Sequence, residues 1–288
     1  MIRAAFDGTF AGWRAAARGM LAAGVAPGMI DWTGEGDAQP TLGFDAGASA
    51  AAVPAATQPG DAGRVPKEFL ALAAAGACHR DGERWALLYR VLWRLTHGER
   101  ALLEVATDPD VHRLLRMEKA VRRSSHKMKA FVRFRRVEHE GGEHYVAWFE
   151  PEHDVLVRTA PFFVDRFASM RWSILTPDGC AHWDGDALSL TSGVPRSAAP
   201  DPDALEAAWR TYYASTFNPA RLRTNAMRAE MPVRYWKNLP EAQLIAPLVR
   251  DAPTRVREMI EREAGARERA AKRVFRSPAE KREAQGEE

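Results

Sequence analysis

The stretch SSHKMKAFVRFRRV, Ser124 to Val137, joins the end of a helix to the start of a strand, and this junction makes the chain α+β. Upstream, Asp108 reads as an N-cap, Pro109 as the first helical residue, and Asp110 as a first-turn acid suited to the helix dipole. The helix predicted from there to Arg123 gathers Val111, Leu114, Leu115 and Val121 on one face. His112, Arg116, Lys119 and Arg123, spaced 4, 3 and 4, form a basic stripe on another. Downstream, Lys129 to Val137 alternates as a strand with Lys129, Phe131, Arg133 and Arg135 on one side. Gly141 and Gly142 then turn it into a second strand over His144 to Phe149.

The junction is also strongly basic. Between Glu118 and Glu138 lie eight Lys and Arg residues and His126, with no Asp or Glu among them. The whole chain of 288 residues carries a net charge of only +3, so the charge is local and must be balanced elsewhere. A basic helix stripe leading into a strand that shows cations and a ring suits the phosphates and bases of a nucleic acid. The candidate contacts here are Arg116, Lys119, Arg123, His126, Lys127, Lys129, Phe131, Arg133 and Arg135. A second cluster, RLRTNAMRAEMPVRYWKN, adds Arg234, Tyr235, Trp236 and Lys237. Two alternatives stand beside this reading: charge runs are commonly solvated faces, and the rings, Trp236 included, can be core.

Glu118 falls on the oily side of the helix, where a carboxylate needs a cation or a raised pKa. Arg122 and His126 are its candidate partners in a structural ion pair.

The remaining chain supports an antiparallel hairpin and meander sheet packed against helices. A short strand at residues 2–6, a helix at about 11–23 and a strand at 29–32 open it as a segment, 1–44, expected to pack on the core. Residues 45–63, rich in Ala, Gly and Pro, read as a linker. The core is expected over 64–264. It holds helices after Pro66 and near Trp85, a helix over 153–170 punctuated by Pro161, and a three-strand meander with PDG and DGD turns. Helices at about 202–216, 240–249 and 253–264 follow, then a charged tail over 265–288.

Composition narrows the chemistry. The hydrophobic share of 46% and charged share of 27% are those of a globular protein. Cys78 and Cys180 form no CxxC pair, so zinc ribbons, iron–sulfur clusters and a disulfide framework are not expected. No apolar run spans a bilayer and no signal peptide is apparent, so no membrane partner and a cytoplasmic location are expected. There is no HExxH, GxSxG, P-loop or GxGxxG, so no metal and no cofactor is expected, and the residues alone name no reaction. Asp178, His182 and Asp184, or Glu150, Glu152, His153 and Asp154, could hold a metal. Turn chemistry for the first group and an acidic helix start for the second account for them more simply.

Several ordered motifs carry a resemblance: FDGTFAGW, HKMKAFVRFR, YVAWFEPEHDVL, RFASMRWSILTPDGCAHWDG and YYASTFNPARLRTNAMRAEMPVRYWKNLPEA. Together they resemble a bacterial family of DNA-metabolism proteins, over nearly the whole chain outside the linker and the tail. Members of that family are typically encoded beside a radical S-adenosylmethionine protein of DNA repair or modification. The same module occurs fused to uracil-DNA glycosylase-like domains. The resemblance implies two partners, DNA and a radical-SAM protein, and an accessory DNA-binding role. The alternatives are a nucleic-acid-processing enzyme with a carboxylate and histidine site, or an adaptor between proteins.

Overall fold

The computed structural model describes residues 1–34, 65–139, 142–199 and 204–274; the expected linker over 45–63 and the last part of the tail lie outside them. The chain is α+β and divides into two bodies, Met1–Val132 with Phe149–Ala198, and Arg133–Trp148 with Ala199–Glu288. Among the described residues no helix is long and apolar enough to cross a membrane.

The first body begins with β1 (Ile2–Phe6), α1 (Phe10–Ala22) and β2 (Ile30–Gly34). The two strands pair in parallel from Ile2 opposite Ile30 to Phe6 opposite Gly34. A parallel pair needs a crossover, and α1 supplies it. Thr9 caps α1 by accepting from the Gly12 amide at 3.0 Å, and Asp7 accepts from the Thr9 hydroxyl at 2.7 Å. Gly12 leaves room for the Asp7 carboxylate, which a β-carbon would meet at 2.0 Å and push off the Thr9 cap.

Helices α2 (Lys67–Ala77), α3 (Arg84–Thr96) and α4 (Pro109–Phe131) complete the main core. Trp13 and Trp85 stack with centroids 6.2 Å apart, Phe6 meets Trp85 edge-on at 5.0 Å, and Trp32 lies 5.2 Å from Tyr89. The Tyr89 hydroxyl donates to the Val25 carbonyl at 2.7 Å, which ties α3 to the loop before β2. Arg94 on α3 reaches Glu99, Asp108 and Asp110, and its hydrogen bonds hold the Glu99 and Asp108 carboxyls below their ordinary values. The same Asp108 accepts from the Asp110 and Val111 amides at 3.0 and 3.2 Å, the cap expected from the sequence.

Helix α5 (Leu156–Arg166) accommodates Pro161, and strands β5 (Trp172–Leu175), β6 (Gly179–Trp183) and β7 (Leu188–Ser192) form the expected antiparallel meander. Gly185 turns β6 into β7 at φ +105°, a conformation a side chain would oppose. Phe163 of α5 packs on Trp172 of β5 at 6.1 Å.

In the second body β3 (Arg135–His139) and β4 (Gly142–Trp148) form the expected hairpin, with α6 (Ala204–Thr216), α7 (Thr224–Glu230) and α8 (Ala242–Val274). Two separate helices over 240–249 and 253–264 were expected, and α8 instead runs through Pro247 and Pro253. Ile245, Leu248 and Ala252 are buried at helical spacing across the first proline. Burial along a continuous face offsets the backbone hydrogen bonds that prolines cannot donate. From Pro253 to Arg269 the helix is almost wholly exposed.

The strand expected from Lys129 is also corrected. α4 continues to Phe131, and β3 starts only at Arg135. Val121, Ser124, Met128 and Phe131 are buried at spacings of 3, 4 and 3, so the helical inward face extends through the segment read as alternating.

Candidate nucleic-acid interface

Helix α4 presents two faces. Val111, Leu114, Met117, Val121, Ser124, Met128 and Phe131 point into the core, with Met117 in the place expected of Leu115, which is exposed. On the other side His112, Arg116, Lys119, Arg123 and His126 are all exposed. At 3.6 residues per turn they fall within an arc of roughly 80° and span about 21 Å of axis, the rise of about six base pairs. Among the described residues, Arg116, Lys119 and Arg123 form no ion pair, whereas Arg90 and Arg113 of the same body are held by Asp110 and by Asp81 with Glu83. Glu118 is a little over a quarter exposed and lies 3.9 Å from Arg122, the structural partner expected for it.

The rest of the basic run does other work. Lys127 is buried with its ammonium 5.9 Å from the Phe131 ring, and Lys129 lies 4.7 Å over Phe162. Phe131 is buried, and on a helix it does not share a face with Lys129, because two residues turn through about 200°. In the second body Arg133 donates to Glu241 at 3.0 Å and Arg135 to Glu206 at 2.6 Å. Both carboxylates are nearly enclosed, with side chains 5% and 8% exposed. The single basic face expected of Lys129, Phe131, Arg133 and Arg135 does not exist; two of its arginines hold buried acids.

Arg234, Tyr235, Trp236 and Lys237 lie on the 3-10 turn Val233–Asn238. Tyr235 is core, with the Arg234 guanidinium 4.8 Å over its ring and donating to its hydroxyl at 3.1 Å. Trp236 is half-buried and donates to the Met231 carbonyl at 3.0 Å, while Arg234 and Lys237 reach solvent.

The acids and the histidine of the meander singled out as metal candidates have protein partners. Asp178 forms a two-pronged pair with Arg80, His182 lies 2.8 Å from both the Ser173 and Thr191 hydroxyls, and Asp184 accepts from the Asp186 and Ala187 amides at 2.8 Å. Among the described residues no group of three or more His, Cys, Asp or Glu is arranged to hold a metal.

One polar network escaped sequence reasoning. His79, in the turn between α2 and α3, stacks on the buried His153 ring at 4.1 Å. The Arg80 amide donates to His153 Nδ1 at 3.4 Å, the His153 amide to Ser124 Oγ at 3.3 Å, and the Asp154 amide to the Cys78 carbonyl at 2.9 Å. Burial lowers the His79 pKa, and burial with the Asp154 carboxyl pushes the Cys78 thiol up to about 11. The Asp154 carboxyl is itself raised, by burial and by Asp178. CHRD at residues 78–81 carries no motif; only the fold brings Arg80 against His153, 73 residues further along the chain.

The fold and this face define a class: an α+β protein in which the longest helix of the first body carries an exposed row of cations. The chain belongs to the family described as a domain of unknown function, DUF4130, whose model matches residues 82–241. That match takes in α3, α4, both clusters and the meander. Neither a curated protein nor a solved structure matches the chain.

Proposed function

We propose that this protein binds DNA in the cytoplasm through the solvent face of α4, as an accessory to a separate enzyme of DNA repair or modification. The observation that carries this reading is the row Arg116, Lys119 and Arg123, exposed on one helix face and without an acidic partner among the described residues. Cations left unneutralised at helical spacing are suited to a row of phosphates, whose counterions they would release. The resemblance to DNA-metabolism proteins encoded beside a radical-SAM protein supports the accessory role and names the partner.

The test is anisotropy with a labelled duplex across a range of salt. Affinity is expected to fall steeply with salt, and Arg116→Gln, Lys119→Gln and Arg123→Gln together are expected to reduce the log–log slope by about 2.7, at roughly 0.9 per phosphate. The melting temperature is expected to stay unchanged, because these side chains touch solvent. An absence of binding at low salt, or an unchanged slope in the triple variant, overturns the proposal. The partnership is tested separately by co-purification with the neighbouring radical-SAM protein, and absence of a complex with and without DNA removes the accessory role.

A further inference from the structure

The second body holds a cavity of about 500 Å³, formed by the end of α6, the 3-10 turn Pro219–Arg221 and α7. Its volume is within the range of small-ligand sites, about 300 to 1,000 Å³. It is open to solvent rather than enclosed.

The lining is mixed in a particular way. Tyr213 and Phe217 contribute rings, and Leu222, Ala226 and Met227 contribute apolar walls. The Asn218 amide oxygen already accepts from the Ala220 amide at 3.0 Å, which leaves its NH2 as the end available to donate to a ligand. Arg221 and Arg223 are exposed and form no ion pair among the described residues. Among the described residues Glu230 is the one acid in the lining, so cations outnumber it two to one.

Flat rings, an amide donor and two guanidinium groups together match a heterocyclic base joined to an anion. An aliphatic or purely anionic ligand would leave either the rings or the arginines unused. The open mouth then decides between a free nucleotide and a residue of a polymer. Small-ligand sites enclose most of their ligand, whereas an open site lets a backbone continue past it.

We propose that this cavity takes an unstacked nucleotide of single-stranded DNA, with the base against Phe217 and Tyr213 and the adjoining phosphate on Arg221 and Arg223. This deepens the DNA-binding reading and rests on it. It differs in location and in target: α4 contacts the backbone of a duplex, and the cavity takes a base that has left its stack.

The experiment uses the full chain with two probes, a labelled ten-nucleotide thymidine strand and a labelled duplex. Phe217→Ala is expected to weaken the single strand about thirtyfold, a middle value for base–aromatic stacking. Phe217→Tyr is expected to retain binding, and neither change is expected to alter duplex affinity. Because Phe217→Ala could unfold the site, Arg221→Gln with Arg223→Gln serves as a second variant confined to exposed side chains. It is expected to weaken the single strand and reduce its salt dependence. Duplex binding that responds to the α4 triple variant, with single-strand affinity within twofold of wild type in both cavity variants, overturns the cavity alone. Failure of both probes to bind overturns the DNA reading and the cavity together. Equal competition by an acidic peptide free of aromatic residues shows that the rings select nothing, and also overturns the cavity.

Discussion

Removing Arg133 or Arg135 should damage stability and leave DNA affinity intact, the reverse of what their place in a basic run suggests. Arg133→Ala would leave Glu241, whose side chain is 5% exposed, without its guanidinium. Breaking a fully buried pair costs about 3–5 kcal/mol. Arg133 is a little over a quarter exposed, so solvent takes up part of that loss and about 2–3 kcal/mol is expected. Glu206 keeps Arg210 at 4.0 Å after Arg135→Ala, so the second variant should lose less, about 1–2 kcal/mol. For a chain of this size the first loss corresponds to roughly 3–5 °C in melting temperature. Calorimetry or circular dichroism gives the shift, and anisotropy with duplex DNA on the same samples gives the affinity. A stable Arg133→Ala variant with weakened DNA binding would refute the reasoning, because its charge would then be serving phosphates rather than Glu241.

Trp85→Ala, at a site 1% exposed in the aromatic core, should cost about 3–5 kcal/mol in thermal or denaturant unfolding, and a loss below 1 kcal/mol would mean the core is not packed as described. Burial holds the folded His79 pKa below the ordinary imidazole value of about 6.5, so its contribution is complete above that value and is lost as pH falls through the folded pKa. Melting temperature should therefore drop between pH 7.5 and 5, less so in His79→Gln; parallel profiles would remove His79 as the cause. A rise of the Cys78 thiol from 9.0 to about 11 cuts its thiolate roughly a hundredfold at pH 8. Alkylation of a Cys180→Ala variant should thus be far slower folded than in urea, and equal rates would show an accessible, ordinary thiol.

What the sequence revealed was local. Asp108 followed by Pro109 marks a helix start within four residues, and the structure places a cap there. The PDG and DGD turns define the meander for the same reason. The segment KAFVRFR misled because its alternation is real in sequence, while the burial of Met128 and Phe131 against the core decides for a helix. Nothing near Arg133 announces Glu241, 108 residues away, and so a structural cation looked like a phosphate ligand. The basic stripe of α4 was legible because a helical face can be computed from spacing alone. The cavity in the second body was only half legible: Arg221 and Arg223 stood out as charge, but α7, which helps to line it, carried no start signal.

The aromatic core has a consequence for where this protein can be cut. Trp85 and Tyr89 lie just inside the family match at residues 82–241, yet Phe6, Trp13 and Trp32, which cover them, lie outside it. At the other end Glu241 is the last matched residue, and Ile245 and Leu248 follow it into the interior of the second body. A fragment trimmed to the recognisable boundaries would bare tryptophan faces at one end and lose the whole of α8 at the other. The matched unit is smaller here than the unit that packs together, so work on this protein should begin from the longer piece.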